Sequence, residues 1–300
     1  MERQLYSNTA ARQLRKVAEV CKESPIHNAE MVQWCAEALE TGIKFLLPNG
    51  GRILNDKLKG LPDQLNLPYP ITVLEYPVVS SNPSLAVLEY GIENTVIARK
   101  RVALAYQIAE NVVAIFSIYQ QMTNHSYEWM LYPTFACVFS NRSGALDQSL
   151  LKRMPINAPV FVKEDVGIMY QPIHAAVREI WSDWELKAAM DLSDEVNAVL
   201  ELIEVLACKN VRSDNAFKRK GKSTAPCKQD LYKILTVRHS ASGIVGSKEK
   251  EDQDEIRERM SPREHLRMGH VRKYADYQIF IQPTIVNPGV GGKVKKGYLV

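Results

Sequence analysis

Between Ile71 and Phe139 the chain changes from a helical to an alternating period, and this change constrains the fold most. Ile71–Tyr76, Thr95–Ala98, Val102–Ile108, Val112–Tyr119 and Glu128–Phe139 are each rich in β-branched and aromatic residues, with turn residues between them. Side chains of that kind suit a pleated, half-buried surface, and closely spaced strands pair antiparallel. A central, mostly antiparallel sheet is therefore expected.

Helices are expected on either side of it. Asn8-Thr9 can cap a helix over 10–22, with Leu14, Val17, Ala18 and Cys21 on one face. Asn28 opens a second helix with Met31, Trp34, Cys35, Ala38 and Leu39 spaced as a buried stripe, and Pro48–Gly51 ends that element in a turn. The pair reads as a helical hairpin. Residues 55–70 carry three prolines and read as extended loop. A helical stretch is expected near 174–191. Ser193, followed by Asp194 and Glu195, has the form of an N-cap for a long helix near 193–208. Beyond it, 212–230 reads as a loop, Tyr232–His239 as a strand, 240–260 as a flexible loop, and Tyr277–Val286 and Val294–Val300 as closing strands. The fold class is α+β.

Charge divides the chain. From Cys208 onward there are 20 Lys/Arg against 10 Asp/Glu, and before it 18 against 24, although the net charge is only +4. Two regions are expected on this basis: an α+β body with the N-terminal helices over 1–207, and a basic C-terminal β-module over 208–300. Such asymmetry fits a module that faces a polyanion; a solvated basic surface has the same composition.

The chemistry is concentrated at 263–273, where His265 and His270 stand among Arg263, Arg267, Arg272 and Lys273 around Gly269. On a regular strand His265 and Arg267 share one face, and His270 and Arg272 the other. A bulge at Gly269 would bring the two pairs together. Arginine binds phosphate through paired hydrogen bonds, and histidine exchanges protons near neutrality. Lys218, Arg219, Lys220 and Lys222 could follow a nucleic-acid backbone, while Tyr274, Tyr277 and Tyr298 could supply stacking faces. The expected nucleic-acid contacts are Lys218, Arg219, Lys220, Lys222, Arg263, Arg267, Arg272, Lys273 and Tyr298. If the cluster is catalytic, His265 and His270 are its acid and base, in metal-independent RNA cleavage.

No resident metal or cofactor is expected. The chain has no P-loop, no dinucleotide fingerprint, no H-E-x-x-H and no G-x-S-x-G. A zinc site built from Cys208, Cys227, His265 and His270 has a suitable histidine spacing, but its cysteines are too far apart in sequence. Five scattered cysteines without a C-x-x-C pair suggest reduced thiols and a cytoplasmic setting. The N-terminus lacks a signal peptide's apolar centre, and no stretch has the length of a membrane span, so no membrane partner is expected.

Asn215–Lys222, Tyr232–Val237, the S-P-R-x-H-x-R-x-G-H-x-R core at 261–272 and Val294–Tyr298 resemble a group of uncharacterised proteins encoded by phages and prophages. The match covers about a third of the chain. Tyr274–Tyr277 stands where that pattern has a shorter basic turn. The resemblance implies a bacterial host cell and a role in host takeover, defence or counter-defence; it implies no mechanism. Three functions are expected to compete: nucleic-acid or phosphate binding (RNA or DNA), an RNA-cleaving toxin-like enzyme, and an inhibitor that binds a host or defence protein. A homo-oligomer is compatible with each.

Overall fold

The structure is a computed structural model that describes residues 5–22, 28–54, 61–62, 64–78, 98–123, 126–139, 167–173, 184–216, 231–237, 265–267, 270–281 and 284–286. Eight strands form one sheet: β1 (Ile43–Leu46), β2 (Ile71–Pro77), β3 (Lys100–Ala109), β4 (Val112–Thr123), β5 (Ser126–Phe139), β6 (Ile168–Pro172), β7 (Val211–Asn215) and β8 (Tyr232–Val237). Their spatial order is β6-β5-β4-β3-β2-β1-β8-β7. Every neighbouring pair is antiparallel except β1 with β2 and β1 with β8, which are parallel. The expected α+β class and mostly antiparallel sheet are both present.

Alternation along the strands produces two cores. Val73, Val102, Leu104, Phe116, Phe135 and Cys137 face α1 (Tyr6–Cys21) and α2 (Ala29–Thr41), the expected N-terminal helical pair. Leu74, Tyr76, Ala103, Ile115, Ala136 and Val138 face α3 (Trp184–Asp191) and α4 (Ser193–Leu206). The sheet is thus buried on both sides. Phe116 and Phe135 stack at 4.9 Å between ring centres in the first core.

Helix ends show where local sequence reading succeeds and where it fails. Asn28 caps α2 as expected, its Oδ1 accepting from Met31 N at 3.0 Å. α1 begins at Tyr6, so Asn8 and Thr9 lie within its first turn. Its first amides are met by Glu75 of β2, which accepts from Tyr6 N and Ser7 N, each at 2.9 Å, and from Ser7 Oγ. Ser193 is likewise no cap. α4 follows α3 after the single residue Leu192, and Ser193 Oγ donates back to Met190 O at 2.8 Å.

Three strands differ from expectation; one is β6, which forms at 168–172 where no strand is expected. β1 forms directly after α2, and its Lys44 is fully buried with Nζ donating to Glu40 O and Gly42 O, the carbonyl end of α2. β7 occupies the start of the expected 212–230 loop and forms an edge of the main sheet. With β8 beside β1, two strands beyond Cys208 belong to the same sheet as the body. The 207/208 division drawn from charge therefore falls within that sheet. The turn at 48–51 is present, and Gly51 needs both its φ of +70° and its missing Cβ, which would lie 3.1 Å from the Tyr76 ring.

The described residues of the C-terminal segment form two antiparallel strand pairs. β10 (His270–Lys273) pairs with β11 (Gln278–Ile281), and β9 (His265–Arg267) pairs with β12 (Thr284–Val286). The expected elements at 95–97, 174–183, 217–230, 240–260 and 294–300 lie outside the described residues.

Candidate nucleic-acid interface

α4 organises this part of the molecule. It is apolar on most sides yet buries three glutamates, each with its own partner. Glu195, in the first turn, meets Arg101 Nη1 at 3.2 Å and accepts from Ser117 Oγ at 3.0 Å. Glu201 accepts from Ile53 N and Leu54 N at 2.6 and 2.7 Å and pairs with Arg52 at 3.0 Å. Glu204, in the last turn, pairs with Lys273 of β10 at 2.9 Å. These contacts tie α4 to the sheet, to the 49–54 loop and to the C-terminal hairpin in turn. Buried carboxylates are tolerated because each is paired.

The groups around Arg101 are strongly perturbed electrostatically. Arg101 Nη1 also lies 3.1 Å from Asp194 Oδ2. Burial pushes the Glu195 carboxyl above its ordinary range, with Arg101 opposing the shift and Asp194 adding to it. Burial, and then Glu195, also raises the Tyr76 hydroxyl well above its usual value. Tyr132 donates to Asp191 Oδ2 at 2.6 Å, and its hydroxyl is raised by burial and by that hydrogen bond. This network fastens the α3–α4 junction to β3, β4 and β5.

At the other end of α4 the hairpin docks along one face and one edge. Val271 and Phe280, paired across the ribbon, pack against Leu54, Val205, Cys208 and Val211. On the same face Gln278 Nε2 donates to Glu204 O at 2.9 Å. The outer edge of β11 is closed by the residues that follow α4. Lys209 N donates to Gln278 O at 2.9 Å. The Asn210 carboxamide brackets Phe280, donating to its carbonyl at 2.7 Å and accepting from its N–H at 2.8 Å. Burial, with Glu204 nearby, pushes the Cys208 thiol up to about 12, which keeps it protonated beneath the hairpin.

With Val271 and Lys273 turned toward α4, alternation places His270 and Arg272 on the opposite face. Arg272 is exposed and lies over the Tyr274 ring at 5.7 Å. Tyr274 stacks on Tyr277 with ring centres 4.7 Å apart and planes 17° apart. Lys209 lies over Tyr277 at 5.4 Å. The result is a stacked pair of exposed rings carrying two cations at the tip of the hairpin.

Of the expected contacts, Arg272 lies at this tip, whereas Lys273 is directed to Glu204. His265 and Arg267 are placed by their backbone only, in β9. Lys218, Arg219, Lys220, Lys222, Arg263 and Tyr298 lie outside the described residues, as does Cys227. Convergence of the two His/Arg pairs required an extra residue in one strand. Residues 268–269, where such a bulge would lie, are outside the described residues.

Lys209, Asn210, Glu204 and Gln278 were not foreseen as parts of this region. Lys209-Asn210 reads in sequence only as the end of a helix, and contacts between residues about 70 apart leave no local trace. Among the described residues no group of three or more His, Cys, Asp or Glu is placed to hold a metal ion. The four described cysteines are buried free thiols, and no described helix is long and apolar enough to cross a membrane. Compared with protein-family models, curated proteins and solved structures, the chain gave no match.

Proposed function

We propose that this chain binds nucleic acid, and that the tip of the β10–β11 hairpin is a primary contact. The observation that carries this reading is the Arg272–Tyr274–Tyr277–Lys209 array, in which two cations rest on two stacked, exposed rings. Arginine and lysine held in this way meet phosphates at a small cost in side-chain entropy, and the rings, each covered by its neighbour and by a cation, hold those cations in place. A hairpin tied down by Asn210 and by Val271 and Phe280 presents these groups in one orientation. The basic excess beyond Cys208 adds a sequence-independent attraction for the polyanion. In the phage–host setting implied by the sequence resemblance, such binding would serve host takeover, defence or counter-defence.

The test is a titration of labelled single-stranded RNA, single-stranded DNA and duplex DNA into the full chain at several salt concentrations. Binding at low salt that weakens steeply as salt rises is the expected result. Absence of binding to all three at low salt overturns the proposal.

A further inference from the structure

A cleft of about 630 Å³ opens on the α3–α4 side of the sheet, between the segment leading into β2, the C-terminal half of α4 and the first residues of β7. Its size falls within the roughly 300–1,000 Å³ range of small-molecule sites. The segment before β2 is held as a built wall. Gln107 Oε1 accepts from Leu67 N at 2.7 Å, and its Nε2 donates to Leu65 O at 3.0 Å. Asn111, at the β3–β4 turn with φ of +58°, accepts from Leu65 N at 3.0 Å. These bonds fix Leu65 in the core and leave Gln64 and Asn66, two residues apart, as exposed carboxamides lining the cleft. Tyr69 continues that wall, Leu206 contributes apolar surface from α4, and Arg212 brings a guanidinium from β7.

We propose that this cleft holds a single nucleotide, with the base edge met by Gln64 and Asn66 and the phosphate toward Arg212. A carboxamide offers one acceptor and two donors, the complement that asparagine and glutamine use on base edges. Tyr69 and Leu206 supply the aromatic and apolar surfaces that base faces seek, and a guanidinium is the side chain best shaped for phosphate. Lys209, one of the two cations of the hairpin array, is only three residues beyond Leu206 in the chain. A strand engaged at the hairpin therefore has a base-sized recess close at hand. The proposal rests on the nucleic-acid reading for its ligand class and deepens it, because it adds a site that acts on one nucleotide rather than on a backbone.

The experiment is isothermal titration of the full chain with AMP, GMP, CMP and UMP, one at a time. Saturable binding of at least one is expected, about tenfold weaker in Arg212→Ala. It is expected to be lost in Asn66→Trp, where an exposed residue is enlarged into the cleft without touching the core. Arg272→Ala is expected to leave monophosphate binding unchanged while weakening oligonucleotide binding, so the two proposals fail separately. No saturable binding of any of the four at millimolar concentration by the folded chain overturns the pocket, as does binding that survives Asn66→Trp.

Discussion

Lys273 Nζ lies 2.9 Å from Glu204 Oε1, joining β10 to the last turn of α4. The lysine side chain is 64% exposed and the glutamate side chain 9% exposed, so solvent screens one partner of the pair. Screening at the lysine end discounts the pair below a fully buried one, although the largely buried Glu204 loses its cation when the lysine is removed. The stronger tether is Asn210, whose carboxamide makes two hydrogen bonds to the backbone of Phe280.

Asn210→Ala is therefore expected to loosen the hairpin more than Lys273→Ala does. Removing both bonds and leaving the Phe280 groups unpartnered costs about 1–3 kcal/mol. Hydrogen exchange provides the measurement: the Phe280 amide should exchange markedly faster in Asn210→Ala and only slightly faster in Lys273→Ala. The reverse order would show that charge, not the carboxamide, holds the hairpin.

Glu195 predicts a pH effect. Burial raises its carboxyl above the ordinary range, so the folded state binds a proton more tightly than the unfolded chain does. Its contribution to stability is then fully present below the ordinary glutamate value of about 4.3 and is lost as pH rises through the raised folded value. In Glu195→Gln this loss should be absent. The difference in urea midpoint, wild type minus variant, should fall as pH rises above that range. Glu195→Ala is a different case: it removes one of two carboxylates paired with the part-buried Arg101, which keeps Asp194 at 3.1 Å, and it leaves Ser117 without its acceptor, at a cost of about 1–3 kcal/mol.

Glu75 caps α1 from a strand 68 positions away. Glu75→Ala should leave the Tyr6 and Ser7 amides and the Ser7 hydroxyl without their acceptor, at a cost of about 1–3 kcal/mol. Fraying should be confined to the first turn of α1, read as faster amide exchange there with the Leu14 and Ala18 amides still protected. Uniform loss of protection along α1 would contradict a capping role.

Sequence was informative wherever the deciding interaction is local. The cap at Asn28 is three residues from the amide it satisfies, and the strands of the central sheet announce themselves by alternation. It was uninformative where a distant group decides. Asn8 and Thr9 look like caps, but α1 starts earlier because Glu75 reaches its first amides. β1 leaves no clear signal because Lys44 interrupts a four-residue strand, and its burial depends on the carbonyls at the end of α2. β7 reads as loop because an edge strand tolerates Arg212, Ser213 and Asp214. At the hairpin tip, Arg272 and the two tyrosines are visible in sequence as chemistry. Their arrangement is not, since it depends on Lys209 and Asn210 meeting β11 from another element.

The central claim is that the hairpin tip contacts nucleic acid. Its most direct measurement is fluorescence anisotropy of a labelled single-stranded RNA across a salt series. The full chain is compared with the double variant Arg272→Ala Lys209→Ala and with Arg12→Ala Lys16→Ala, which removes two exposed cations from α1. The account predicts that the hairpin variant, with unchanged thermal stability, binds more weakly and loses about one unit of salt slope per cation removed. The α1 variant should bind as the wild type does. Identical affinity and slope for all three proteins would contradict it.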